Sequence, residues 1–198
     1  MRLAPGATLL QQAQVILAAA RQALLDYQPS DPREQGFRQR MLALLDGSAP
    51  TSRGQFNPGH LTASGFVVSP EGDAVLLIFH KKLGIWVQPG GHIEAADSTL
   101  EAAARREVAE EVGLTLQADS AATIFDLDIH TIPARKDEPA HEHFDVRFCF
   151  QAPTRDFVSS DEVAGARWPE LAKIDQLTSD ESVLRAVRKL ARSSREQH

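Results

Sequence analysis

Hydrophobic and polar positions divide the chain into a helical opening and a longer stretch of mixed pattern. Over residues 7–27, Leu9, Ala13, Ile16, Ala20, Ala23 and Leu24 recur at helical spacing among Ala, Leu and Gln, all good helix formers. Pro29-Ser30-Asp31-Pro32 stops this helix, and Asp31 ahead of Pro32 supplies an N-cap with proline at the first helical position. A second helix is expected to reach Leu45, with Phe37, Met41, Leu44 and Leu45 on one side, and to end at Asp46-Gly47. A polar linker from Ser48 to Pro58 follows, so the chain reads as an N-terminal helical extension, 1–58, and a main domain, 59–198. The helical hairpin is expected to pack on the main domain or to form a dimer contact; a lid over a site is the sharper alternative.

From Leu61 the period shortens to that of strands. Residues 61–69 and 74–80 read as a hairpin around the turn at Pro70-Glu71-Gly72-Asp73, its second strand apolar enough to be central. A helix is expected from Ser98 to Val112, then strands near Ala122–His130 and His143–Gln151, with a polar loop from His130 to Glu142 between them. Loops of that length commonly carry function, so this one is a source of substrate contacts or of a general base. In the later strand Phe144, Val146, Phe148 and Phe150 alternate with His143, Asp145, Arg147 and Cys149, giving a core face and a polar face turned toward a cleft. His141 and His143 offer two metal-type ligands, and two ligands do not make a site. Residues 162–168 read as a short strand. Thr178-Ser179-Asp180-Glu181 is a capping box opening a last helix, with Val183, Leu184, Val187 and Leu190 as its stripe and a frayed tail after Arg192.

Composition narrows the class. A chain of 198 residues holds one ordinary domain with an appendage, and 42% hydrophobic with 24% charged residues is globular. A net charge of -6 argues against a general nucleic-acid binder, which would carry a basic footprint. The single cysteine, Cys149, excludes an intramolecular disulfide and fits a reducing compartment. No stretch has the length and apolarity of a membrane span, and Gln11, Gln12 and Gln14 interrupt any signal-peptide core, so a cytoplasmic location is expected.

Candidate chemistry concentrates in residues 106–114, REVAEEVGL. On a helix, Glu107, Glu110 and Glu111 fall within an arc of roughly 100°. Like charges so spaced repel by roughly 0.2–0.5 kcal/mol per pair, a conflict that a hard divalent cation with oxygen ligands removes. Arg106, four residues before Glu110, is placed to hold that carboxylate, and Gly113 is a natural C-cap.

The segment from Gly91 to Leu114 resembles the Nudix box, G-x5-E-x7-R-E-U-x-E-E-x-G-U, where U is bulky and aliphatic. REVAEEVGL matches every specified position of the second half. In the first half Asp97 stands where Glu is expected, and eight residues rather than seven precede Arg106, a one-residue insertion in the loop before the helix. The resemblance implies a Nudix-type α/β/α sandwich around a mixed β-sheet, carrying the N-terminal helical hairpin as an addition. It implies hydrolysis of the diphosphate bond in a nucleoside diphosphate linked to another moiety, with Mg2+, or Mn2+ as a substitute. Glu107, Glu110, Glu111 and the Gly90 carbonyl would be the metal ligands, with Arg106 in an orienting role. One of these glutamates, or Glu138, Glu142, Asp145 or Glu162, would take the proton from water. Lys81, Lys82, Arg147 and Asp145 are candidate substrate contacts, and Trp86, Phe125, Phe144 and Phe56 could stack a base. The expected partner is a small nucleotide-type substrate, not a membrane or nucleic acid, and a homodimer is compatible with the extra helices. The main alternative is a non-catalytic Nudix-fold ligand sensor, which usually lacks box glutamates that this chain keeps. An isomerase of the isopentenyl diphosphate type would need a catalytic cysteine, and RNA decapping would need a basic face.

Overall fold

The computed structural model describes residues 9–47, 49–81, 83–117, 122–161, 163–178 and 180–196. Two helices come first, α1 (Leu9–Asp26) and α2 (Pro32–Leu44). Four strands follow: β1 (Gly59–Val68), β2 (Leu77–His80), β3 (Ile85–Val87) and β4 (Gly90–His92). Then come α3 (Leu100–Val112), β5 (Ile124–Ile132), β6 (His141–Gln151), β7 (Ala166–Arg167) and α4 (Glu181–Glu196). Among the described residues no helix is long and apolar enough to cross a membrane.

Four strands form a sheet in the order β4-β1-β6-β5. β4 runs antiparallel to β1 and β5 antiparallel to β6. Between the central pair, Glu142 N donates to Pro58 O at one end and Ala152 N to Val68 O at the other, the signature of parallel strands. The sheet is therefore mixed, as expected. A second sheet, β3-β2-β7, is antiparallel, with the apolar β2 in its centre. The expected hairpin of residues 61–80 is a hairpin only at its base. Val68 and Val75 are bridged and Ser69 N donates to Ala74 O, after which β1 and β2 enter different sheets.

The chain folds as two compact units. The first comprises Met1–Ser64 with Gly90–Ala104 and Ala121–Phe148; the second comprises Gly65–Pro89 with Arg105–Ser120 and Cys149–His198.

In the first unit the helical hairpin is closed by its own sequence. The Asp31 carboxylate accepts from Glu34 N at 2.9 Å, and the buried Glu34 carboxylate accepts from Ser30 N at 2.6 Å and Ser30 Oγ at 2.9 Å. Arg38 donates to the carbonyls of Leu24 and Leu25, which end α1 without intrahelical partners. Ile16, Ala20, Leu24 and Tyr27 form the buried stripe of the first helix; Ala13, expected within it, is exposed. α2 packs along β5, Arg40 pairs with Glu142 on β6, and the Tyr27 hydroxyl donates to Phe125 O at 3.4 Å. The hairpin is thus part of the packing of the sheet, as the first of the two expected roles requires.

The expected loop of residues 130–142 is shorter than its polarity indicated. β5 and β6 stay paired through His130↔His143 and on to Ile132↔His141, and Arg135 and Glu138 close a tight connection. The polar face of β6 also departs from expectation, since it is buried rather than turned to an open cleft. Arg147, 2% exposed, donates from Nε to Asp145 Oδ2 at 2.9 Å and from Nη1 to Asp126 Oδ2 at 3.2 Å, with Asp128 Oδ2 3.4 Å from Nη2. Asp145 also accepts from Thr62 Oγ1 at 3.2 Å and Ser64 Oγ at 2.8 Å on β1. Burial alone would lower the guanidinium pKa, but Asp128, Asp145 and Asp126 outweigh it and the pKa is raised.

In the second unit Arg155 pairs with Glu71 and Asp73, and Trp168 donates from its indole to Arg155 O at 2.9 Å. Asp180, within the expected capping box, caps α4 by accepting from Val183 N at 3.0 Å. Val183, Ala186, Val187 and Leu190 form the buried stripe, and the helix runs to Glu196.

Removing the guanidinium leaves three interior carboxyl groups without their cation. Arg147→Met is expected to lower the stability measured by urea denaturation by about 3–5 kcal/mol. A loss below about 1 kcal/mol would show that the aspartates do not need it.

Candidate active site

The glutamates of residues 107–111 are positioned by a helix whose start, face and end are each fixed by identifiable contacts. Thr99 Oγ1 accepts from Ala102 N at 3.0 Å and so caps the first turn of α3. In the second unit Val108 and Val112 are fully buried, and the Arg105 guanidinium lies 4.4 Å from the centre of the Phe150 ring while donating to Gln117 O at 2.7 Å. The helix ends at Gly113, whose φ of +66° is one that only glycine adopts without strain, and whose N–H donates to Ala109 O at 3.0 Å. Val158 N and Ser160 N then donate to the last-turn carbonyls of Val112 and Glu111. Backbone contacts at both ends thus hold the helix in place.

On that helix Arg106 Nη1 donates to Glu107 Oε1 at 3.0 Å and to Glu110 Oε2 at 2.8 Å. One guanidinium thus pairs with two carboxylates of the same helix face. Its side chain is 19% exposed, that of Glu107 15% and that of Glu110 54%. Glu111, one residue further round, is 8% exposed. The face therefore grades from an interior carboxylate to an open one. All three offer hard oxygen donors, the chemistry that suits Mg2+ or Mn2+.

Gly90 lies on β4 in the first unit, opposite Ser64 of β1. A Cβ there would stand 2.3 Å from Ser64 Cβ and 2.7 Å from Ser64 Cα, so close strand packing alone demands glycine at this position. The glutamates lie in the second unit. Asp97 is 8% exposed and its carboxylate accepts from Glu94 N at 2.7 Å, closing a turn in the loop that holds the extra residue. That contact gives Asp97 a structural place.

The remaining candidates are mostly committed elsewhere. Arg147 and Asp145 are interior partners of each other, so neither presents the open face that a phosphate contact requires. Lys81 Nζ donates to Asp161 O. Lys82 and Glu162 lie outside the described residues. Glu142 pairs with Arg40, and Glu138 lies 3.7 Å from Arg53. Of the aromatic candidates, Phe144 is interior beneath Arg40, and Trp86 packs against Phe79 with Arg167 over its ring.

Sequence reading passed over a second group. His60, His141 and His143 of the first unit offer nitrogen atoms that all lie within 4.8 Å of one another. The signal for it was the alternation His141-x-His143-x-Asp145-x-Arg147 set against Asp126-x-Asp128-x-His130, two polar faces that pair residue for residue.

Comparison with known proteins bears on the same stretch. No curated protein matches the chain. Among solved structures, a NUDIX-family hydrolase from Clostridium perfringens is 25% identical, over 67% of this chain and 96% of that one, with a TM-score of 0.51. The MutT NUDIX hydrolase of Burkholderia pseudomallei is 21% identical, over 65% and 95%, with a TM-score of 0.52. The NUDIX domain of Shewanella oneidensis NrtR, solved with ADP ribose, is 18% identical, over 87% and 96%, with a TM-score of 0.52. These last two share the fold. The family model of the NUDIX domain matches residues 58–190, from the first strand to the last helix and with the glutamate helix inside it. The chain belongs to the NUDIX family.

Proposed function

We propose that the chain hydrolyses the phosphoanhydride bond of a nucleoside diphosphate linked to a further group, and that it does so with Mg2+ or Mn2+. The observation that carries this reading is the Arg106 clamp on Glu107 and Glu110, with Glu111 beside them, on a helix fixed at both ends. Glu107, Glu110 and Glu111 would hold the metal. A divalent cation there would offset the negative charge of the diphosphate oxygens and make the attacking water more acidic. Arg106 keeps two carboxylates oriented, so that they reach the substrate without reorganisation. A box glutamate is the general base we favour, because Glu142 is ion-paired with Arg40 and Asp145 with Arg147.

The substrate class can be tested by phosphate or nucleotide release with and without Mg2+ or Mn2+. The panel holds ADP-ribose, the compound solved with the Shewanella relative, together with nucleoside triphosphates, NADH, nucleotide sugars, CDP-alcohols and dinucleoside polyphosphates. Metal-dependent cleavage of one compound well above the rest is the expected result. Tight binding of one compound without cleavage would identify a ligand sensor instead. Glu110→Gln is expected to lower kcat by about 10²–10⁴-fold while leaving the circular dichroism spectrum unchanged. Asp97→Ala, which opens a turn rather than removing a ligand, should cost far less; equal losses in the two variants would remove the special role of the box.

Isomerase chemistry on this fold would need a reactive cysteine. Burial pushes the Cys149 thiol up to about 11, the opposite of what a nucleophile or proton donor at neutral pH requires. Iodoacetamide at pH 8 is expected to leave Cys149 unmodified until urea unfolds the chain. Rapid labelling of the native protein would reopen the isomerase reading.

A further inference from the structure

Five histidines of the first unit meet at one end of the four-stranded sheet, although the sequence spreads them over residues 60–143. β1 and β6 run parallel, so His60 and the pair His141 and His143 all lie where those strands begin. His130 is paired with His143 across the β5–β6 ladder, and His92 with Thr62 across the β4–β1 ladder. The His60 ring centre lies 4.8 Å from that of His143, 5.1 Å from His92 and 5.2 Å from His141. His92 is 5.3 Å from His143, and His130 is 5.5 Å from it.

Two of these rings are held in the form that a metal requires. His60 Nδ1 lies 3.0 Å from Gln55 O, and His141 Nδ1 lies 2.9 Å from Pro139 O. A carbonyl only accepts, so each Nδ1 carries a proton, and in the neutral ring that leaves a lone pair on Nε2. This is the outer contact that fixes metal-bound histidines in their tautomer. His60 Nε2 is buried and has no hydrogen-bond partner, which for an interior imidazole is a cost without return unless something binds it.

We infer that His60, His141 and His143 form a binding site for one borderline divalent cation of the zinc class, held by imidazole nitrogen. Zn–N bonds of about 2.1 Å in tetrahedral array put ligand nitrogens about 3.4 Å apart, so three nitrogens within 4.8 Å need only modest inward rotation. Three histidines leave a fourth position for water, and His92 packs against two of the three rings. The electrostatics agree. His130 Nδ1, 3.1 Å from Asp128 Oδ2, links the group to the Arg147 cluster, where one guanidinium faces three aspartates. A cation at the histidines would lie beside that excess of carboxyl groups. The site uses no box residue and stands whether or not the proposed hydrolysis is correct.

The full-length chain, stripped with chelator and gel-filtered after exposure to Zn2+ alone, is expected to retain one zinc per chain by atomic emission. Co2+ alone should give the strong visible absorption of a four- or five-coordinate nitrogen site, which an octahedral oxygen site does not produce. Both signals should persist in Glu110→Gln and be lost in His143→Gln, with affinity weakened more than about 100-fold, since even the outer partners of metal-bound histidines are worth about 10–100-fold. His141→Gln, checked for folding by circular dichroism, is the second variant should the first fail to fold. A wild-type chain that retains no zinc, or retention that follows Glu110 instead of the histidines, would overturn the site.

Discussion

The buried guanidinium of Arg147 is the constraint on which the four-stranded sheet depends. A charged group taken from water into the interior costs several kcal/mol unless its hydrogen bonds are remade there. Three aspartates on two strands remake them, and on β1 Thr62 donates to Asp145 Oδ1 while Ser64 donates to Oδ2, the oxygen that also accepts from the guanidinium. Three strands are thereby tied through side chains as well as through the backbone ladder. A slip of one residue between β5 and β6 would set Asp126 and Asp128 opposite Val146 and one of Phe144 or Phe148, and register is fixed accordingly. A polar face that must be satisfied in full specifies its strands more sharply than an apolar one, which tolerates repacking.

Features of short sequence range were the most legible. The glutamate helix, its arginine and its terminating glycine lie within a few turns of one another, and helical periodicity carries their arrangement directly into space. The cap at Asp31, the stripe of the last helix and the alternation of β6 were readable for the same reason. The approximate places of the longer strands were readable as well, because β-branched and aromatic runs bounded by turns leave few other options.

What escaped was set by topology. The alternation of β6 told which residues share a face, but not whether that face is open. Polarity argued for a cleft, whereas partners on β1 and β5 made the same residues interior. The segment 130–142 read as a loop because it is polar and holds two prolines, yet its flanks continue the β5–β6 ladder. Two histidines spaced by one residue were insufficient for a site. The third is 81 positions before the first of them, and only the parallel pairing of β1 with β6 brings it to the same end of the sheet. No local pattern encodes that pairing.

The two donor groups differ in a way that makes them separable in solution. Carboxylate oxygens on α3 suit Mg2+ and Mn2+, which prefer hard ligands and keep much of their water. Imidazole nitrogens at the sheet end suit Zn2+, Co2+ and Ni2+, which bind nitrogen more strongly than Mg2+ does. Softness of the donor, rather than overall affinity, would then sort the ions. A chain with both sets need not exchange one metal for the other as their concentrations change. An oxygen-ligand ion that exchanges with substrate and a nitrogen-ligand ion that stays would have different tasks. The first would meet phosphate, and the second would join β1 to β6 at the end of the sheet where His60 Nε2 otherwise lacks a partner.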